Sequence, residues 1–301
     1  MLNRLKNDTR PMMVIIKRNG STEPYNRDKI TTAIQKCFKS TGTEIDAGIL
    51  KQVVESIENF VGNDAANRHV ECIQDEVERT LMEHGFYKEA KNYILYRWQR
   101  TERRRTLDAI VREVADPDIA PVLRAIQADF TTEPYDLRML SEKFSGFCKP
   151  EMETEERLAA LVKAAVELTS QDAPDWEFIA ARLLSYRLEK RLTAQAERLG
   201  FRSFYDKLRY LTDENLYGDY ILSSYTPEEI AVAESFMRPE RNLLFNYSGL
   251  DLLIKRYLIR TRSQQVVESV QEMYLGIALH LAMPEKNDRM MWVQRFYDML
   301  S

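Results

Sequence analysis

Lys17 and Arg18 stand directly before Asn19-Gly20, between the β-branched run Val14-Ile15-Ile16 and the stretch Ser21-Thr22-Glu23-Pro24-Tyr25-Asn26. Asn-Gly is the strongest short hairpin signal, because a type I′ turn needs positive φ at both central residues. The returning segment runs into a helix start with Asn26 as its N-cap. Lys29 falls one turn into that helix. A small hairpin carrying two cations is thereby laid beside a helix N-terminus, whose unpaired N–H groups and dipole favour anions. The chemistry predicted is the holding of a phosphate, with Lys17, Arg18 and Lys29 as the cations. Taken alone, cations beside a turn more often form only a solvated edge, so the surrounding pattern has to decide.

The elements that position these residues follow from apolar periodicity. Ile30, Ile34 and Phe38 mark one helical face over 27–40, and Thr41-Gly42-Thr43 breaks it. Ile49, Val53, Ile57 and Val61 recur at four-residue steps and predict a second helix. Val70, Ile73, Val77 and Leu81 predict a third, stopped by His84-Gly85. A fourth is predicted from Tyr87 to about Arg104 and ends in a basic run, Arg97, Arg100, Arg103, Arg104 and Arg105. One hairpin and four helices with short connections result.

At this point the residues resemble a known family. Ile16-Lys17-Arg18-Asn19-Gly20-x-x-Glu23-x-Tyr25-x-x-x-Lys29-Ile30, then Asn67-Arg68-His69-Val70, then the Ala90-x-x-Tyr93-x-x-Tyr96-Arg97 helix, are similar in order and spacing to the ATP-cone. This is the regulatory nucleotide-binding domain at the front of many ribonucleotide reductase large chains. The resemblance implies ATP or dATP as allosteric effector, arriving with Mg2+, bound by Lys17, Arg18, Glu23, Asn26, Lys29, His69, Arg97 and Arg100. It places Glu23 near the nucleotide, where a carboxylate accepts from ribose hydroxyls or the adenine amino group. It places His69 facing the phosphates, although a lone histidine is more often structural. Asn26 remains open between a plain N-cap and a base contact. Arg97 and Arg100 remain open between serving the helix dipole and neutralising the triphosphate. Tyr25, Tyr93 and Tyr96 are expected to pack in the core and against the hairpin rather than to stack on a base.

The same resemblance extends along the chain. Asp116-Pro117 and Asp118 start a short helix, Thr132-Glu133-Pro134 interrupts, and helices are expected over Glu155–Thr169 and from Asp175 to about Leu199. Ile179-Ala180-Ala181-Arg182-Leu183-Leu184-Ser185-Tyr186-Arg187 echoes the closing helix at Ala90–Arg97, which signals internal repetition. No Lys-Arg-Asn-Gly hairpin precedes it, so residues 106–200 are expected to form a degenerate cone without nucleotide. In 201–301, Thr226-Pro227-Glu228-Glu229 is a helix start with a capping box. Helices are expected at Glu268–Leu281 and Glu285–Leu300, the latter amphipathic through Met291, Val293 and Phe296. Residues Tyr257-Leu258-Ile259, Met273-Tyr274-Leu275-Gly276 and Arg295-Phe296-Tyr297 resemble the all-helical N-terminal region of the reductase large chain. The expected fold class is therefore mainly α. It comprises an ATP-cone over 12–105 (a small β-hairpin capping a four-helix bundle), a degenerate cone-like helical domain over 106–200, and the helical N-terminal region of the reductase over 201–301. The catalytic barrel is expected to be absent.

Composition narrows the alternatives. The 301 residues hold only 10 Gly and 10 Pro, against a loop-rich β-protein, and a net charge of −4 offers no bulk attraction to nucleic acid. No secretory signal is read in Met1-Leu2-Asn3-Arg4-Leu5-Lys6, which lacks an apolar core, and no apolar run reaches membrane-spanning length, so a cytoplasmic place is expected. Cys37, Cys72 and Cys148 form no CxxC pair, no metal-ligand spacing is present, and each is expected to be a small apolar residue. No catalytic residue is assigned. Ribonucleoside-diphosphate reduction is implied by the resemblance for the whole enzyme, with a radical-generating small subunit, the remaining catalytic barrel and effector-dependent self-association as partners. A cone-bearing transcriptional repressor is the weaker alternative, because that family carries a four-cysteine zinc ribbon before its cone. A helical scaffold without nucleotide binding is the other.

Overall fold

The computed structural model describes residues 13–301; the predicted frayed leader over 1–11 lies outside the described residues. The chain divides into two compact units, one reaching Glu102 and the other spanning Arg103–Ser301.

In the first unit two short strands, β1 (Val14–Ile16) and β2 (Thr22–Pro24), pair antiparallel with Ile15 opposite Glu23. The turn between them corrects the expected type. Lys17 N–H donates to Ser21 O at 2.8 Å and Gly20 N–H to Lys17 O at 2.9 Å. Gly20 has φ +78°, while Asn19 is not among the residues with positive φ. This is the three-residue hairpin closed by a left-handed glycine, not a type I′ turn. Asn19 instead turns its side-chain oxygen onto Ser21, accepting from the N–H at 3.1 Å and from Oγ at 2.7 Å.

Four helices complete the unit. α1 (Arg27–Thr41) starts where Asn26 accepts from Asp28 N–H and stops at Gly42, which takes φ +72°. α2 (Ala47–Asn63) starts under Asp46. α3 (Val70–Glu83) follows a 3-10 turn at Ala65–Arg68, with His69 as its cap. α4 spans Tyr87–Val114. Ile15, Ile34, Phe38, Val53, Ile57 and Leu81 meet in one core. Ile49, expected on the same face as Val53 and Ile57, is exposed, and Leu50 is buried instead. A four-residue step overshoots a full helical turn by about 40°, so a strict four-residue row drifts off the buried face. The fourth helix also runs ten residues past its expected end at Arg104. Nothing in 105–114 is Gly or Pro, and the stop falls at Ala115, with φ +60°, before Asp116-Pro117.

The second unit is helical throughout its described regular structure. α5 (Ala120–Asp129), α6 (Leu137–Ser145), α7 (Thr154–Val166) and α8 (Trp176–Leu199) surround a core with Phe144, Leu123, Ile126 and Trp176 fully buried. The sequence reading missed α6, a short element between Pro134 and Gly146. α9 (Phe204–Asp213), α10 (Tyr220–Ser224), α11 (Pro227–Glu234), α12 (Tyr247–Arg256), α13 (Val270–Ala282) and α14 (Arg289–Leu300) follow. The Thr226–Glu229 capping box forms as expected. On α14 the buried pair is Val293 and Tyr297, one turn apart, while Met291 is exposed. Met291 and Val293 are two residues apart and cannot share a helical face.

The start of α13 also differs. Ser269 and Glu272 form its capping box, and Glu268 is left before the helix, buried at 4 % exposure, accepting from Ile259 N–H at 2.7 Å. Burial pushes the Glu268 carboxyl up to about 7. A carboxyl raised on folding binds its proton more readily folded than unfolded, so stability falls as pH rises from the ordinary value of 4.5 to about 7, then levels off. Glu268→Gln is expected to remove this part of the pH dependence, measured as the difference in thermal midpoint between the two proteins from pH 4.5 to 8. A constant difference across that range would refute the assignment. In the first unit, Leu81→Ala is expected to cost about 2–5 kcal/mol by denaturant titration, against under ~1 kcal/mol for Ile49→Ala. Equal losses would place Ile49 in the core after all.

Candidate functional site

A groove of about 780 Å3 lies between α1 and α4 in the first unit. Its α1 wall carries Asn26, Lys29, Thr32, Lys36 and Ser40; its α4 wall carries Asn92, Tyr93, Tyr96 and Arg100. Both walls are helical stripes: the α1 members lie three or four residues apart, as do Tyr93, Tyr96 and Arg100 on α4, with Asn92 beside Tyr93. One end is tied by Asn92, which donates to Ser40 Oγ at 2.7 Å, and by Lys88, which donates to Thr41 O at 3.2 Å. Beneath lies Cys37, whose thiol donates to Glu89 O at 2.9 Å. Burial pushes that thiol up, so it stays protonated and inert.

The eight residues singled out from the sequence fall into two connected groups. Asn26, Lys29 and Arg100 line the groove. Lys17 and Glu23 reach it indirectly: Glu23 bridges Lys17 at 2.9 Å and Lys29 at 3.0 Å. Hydrogen bonds from Lys17, then Lys29, hold the Glu23 carboxyl below the usual range. Arg18, His69 and Arg97 meet elsewhere, around Glu71 in the first turn of α3. Glu71 accepts from Arg18 through one carboxylate oxygen and from Arg97 through the other. Arg18 also donates to Gln74 at 3.0 Å. The ring Nδ1 of His69 accepts from Glu71 N–H at 3.3 Å, and β1 touches this point through a parallel bridge between Ile16 and His69.

The electrostatics of the second group are strong. The hydrogen bond from Arg18, reinforced by Arg97, pulls the Glu71 carboxyl down to about 2 despite partial burial. Burial opposes the charge on Arg97, but hydrogen bonds to Asp75, Glu78 and Glu71 outweigh it and raise its pKa. Burial raises the hydroxyl of Tyr93 to about 12, with the charges of Arg97 and Arg100 both opposing the rise. Tyr93 is itself a wall residue of the groove.

Three features were not found in the sequence. Glu71 was missed because a carboxylate in a first helical turn reads as ordinary dipole complementation. Lys36, Thr32, Ser40 and Asn92 were missed because a polar helical stripe reads as a solvated face. Tyr96 is the third, and its expected packing role is overturned: it is 60 % exposed and lines the groove. Tyr25 and Tyr93 do pack partly against the core. Among the described residues no cluster of metal-ligating side chains occurs, and no helix is long and apolar enough to cross a membrane.

The hairpin, the four helices and the cationic groove define a cone-type nucleotide domain, and comparison with known families agrees. Residues 13–102 match the ATP cone domain, and residues 243–301 match the ribonucleotide reductase all-alpha domain. The ribonucleoside-diphosphate reductase subunit alpha of Treponema pallidum is 44 % identical over 300 residues, 96 % of this chain and 35 % of that protein. Subunits of the same name from Chlamydia muridarum (28 % over 332 residues, 95 % of this chain and 30 % of the relative) and Escherichia coli (32 % over 143 residues, 47 % and 18 %) are also similar. The chain carries an ATP-cone region and a ribonucleotide reductase all-alpha region, and nearly its whole length is similar to a ribonucleoside-diphosphate reductase alpha subunit. It spans about a third of the length of the Treponema relative.

Proposed function

We propose that this chain is the effector-sensing part of a ribonucleoside-diphosphate reductase large subunit, and that ATP or dATP, carried with Mg2+, binds the groove between α1 and α4. The observation that carries this reading is the convergence of Lys29, Lys36 and Arg100 on one groove within the region that matches the ATP cone. Lys29 and Arg100 lie at the end toward the hairpin and Asn26 and are suited to the phosphates, where cations outweigh the desolvation of a polyanion. Tyr96 offers an exposed ring to the base. The side-chain oxygen of Asn26 is committed to the α1 cap, which leaves its NH2 as the group for a base or ribose acceptor. The Nδ1 of His69 is likewise committed, leaving Nε2 for a phosphate. ATP and dATP differ by one hydroxyl, so opposite regulatory effects require differential binding to two states of the enzyme. The wider assignment includes reduction of ribonucleoside diphosphates by the whole enzyme in the cytoplasm, a radical-generating small subunit, a catalytic barrel and effector-dependent self-association.

The cysteines fit a regulatory rather than a catalytic role for this region. Cys37 is buried, and burial pushes Cys148 up to about 11, opposite to the activation that thiol chemistry needs. A scaffold without a ligand is less favoured, because it gives no reason for three cations to line one groove.

Residues 106–200 are proposed as a second, degenerate cone. Two parallels support this. Arg97 of α4 pairs with Glu71, the second residue of the preceding helix α3; Arg187 of α8 pairs with Glu155, the second residue of the preceding helix α7. Both arginines follow a tyrosine. No strand is found in this segment, so it lacks the cationic hairpin of the first cone.

Calorimetry is expected to show ATP and dATP binding in the micromolar range, with UTP far weaker, and Lys29→Ala is expected to weaken ATP by about 1–3 kcal/mol. No heat with either adenine nucleotide would sink the assignment and leave the scaffold. A separate measurement addresses the second cone: Arg187→Ala is expected to leave the number of bound nucleotides unchanged. Loss of a bound nucleotide on that substitution, or a ligand mapped to 106–200, would show that the second cone is functional.

A further inference from the structure

Four of the cations singled out from the sequence, Lys17, Arg18, Lys29 and Arg97, are each already engaged by a carboxylate. Lys17 and Lys29 share Glu23, and Arg18 and Arg97 share Glu71. The four are not held equally. Arg97 has, besides Glu71, Asp75 and Glu78, with Glu78 at 2.8 Å, so losing Glu71 leaves it tied to α3. Arg18 has Glu71 as its ionic partner and Gln74 as a neutral one. The hydrogen bond from Arg18 is also the largest influence holding the Glu71 carboxyl ionised, so a full negative charge faces Arg18 throughout the physiological pH range.

We propose that Glu71 is a built-in competitor for the effector: its carboxylate occupies the Arg18 guanidinium in the empty cone, and the triphosphate binds by taking Arg18 from it. This rests on the nucleotide reading above and adds its regulation. The exchange replaces one anion by another at the same five-donor guanidinium, so the net gain is smaller than for a free cation. It also moves something. Arg18 sits at the hairpin tip, and its pairing with Glu71 and Gln74 holds that tip against the first turns of α3. Transfer of Arg18 to a phosphate releases this tie while Arg97 keeps α3 and α4 together. Effector occupancy is thereby converted into a change in how the hairpin is held, and Glu71 sets the affinity at which that happens.

The test compares Glu71→Gln with wild type by ATP calorimetry. Glutamine keeps the shape and an acceptor oxygen but removes the competing charge, and ATP affinity is expected to rise about five- to tenfold. Asp75→Asn removes a charge from the same helix that touches Arg97 and not Arg18, and is expected to change affinity less than twofold. In an Arg18→Gln background the gain from Glu71→Gln is expected to vanish, as a double-mutant cycle requires of a direct competition. A second measurement uses the wild-type protein alone: the Arg18 Nε–H resonance, shifted by Glu71, is expected to move on ATP addition while those of Arg97 stay. Unchanged or weaker ATP binding by folded Glu71→Gln, an equal gain from Asp75→Asn, or a static Arg18 resonance would overturn the competition and leave the nucleotide site standing. Absence of ATP binding by every variant, wild type included, would overturn both.

Discussion

A sheet of two three-residue strands cannot hold itself together in water. The cone depends on how its hairpin is fastened. Ile15 contributes the one fully committed apolar side chain of the two strands, buried at 7 % exposure in the core of the helices. The remaining fastening is polar: the bridge from Ile16 to His69, the Glu23 bridge to Lys29 on α1, and the Glu71 bridge from Arg18 to Arg97. Exposed ion pairs are individually weak. They are therefore suited to an element that is held in place and, on the proposed reading, still responds to a polyanion. A hairpin fastened by a larger apolar face would be more stable and less responsive.

The cations proposed to recognise a phosphate are the same ones that fasten the hairpin. Binding and tertiary structure are for that reason linked at the level of single side chains. The second unit shows the contrast. Its Glu155–Arg187 pair, which the proposed second cone would align with Glu71–Arg97, has no hairpin arginine to share. There the carboxylate only joins two helices. In the first unit a third partner, Arg18, reaches the corresponding carboxylate, which is what the proposed regulatory contact rests on.

The second unit also shows how buried polar groups are managed away from the groove. Lys207 and Glu272 pair at 2.6 Å with both side chains largely shielded, and Asp116 accepts from Tyr186 at 2.7 Å and Lys190 at 3.2 Å. Each carboxylate has a partner that offsets the loss of water. Glu268 is different. Its one described hydrogen bond comes from a backbone N–H, and its raised pKa follows from a burial that a single donor does not offset.

Much of the architecture is local and was legible. Asn26, Thr226 with Glu229, and Gly42 act within one turn of chain, so the starts and stops they mark could be read directly. The cationic hairpin and Lys29 were legible for the same reason. What was misread depended on geometry beyond a few residues. The hairpin turn was assigned from Asn-Gly alone, whereas the Asn19 side chain bonding to Ser21 accommodates a different backbone. Ile49 was assigned from a four-residue row that the true helical period does not keep. The groove could not be read at all, because its walls come from α1 and α4, some fifty residues apart in sequence, and each wall alone is a polar stripe indistinguishable from a solvent face. The same holds for Glu71. Sequence by itself determined which residues could carry charge and which segments would be helical, because those are properties of single residues and of short-range period. Which charges meet was decided only by tertiary packing, since the apolar core sets the positions of α1, α3 and α4, and the cations and carboxylates pair with whatever that packing brings within reach.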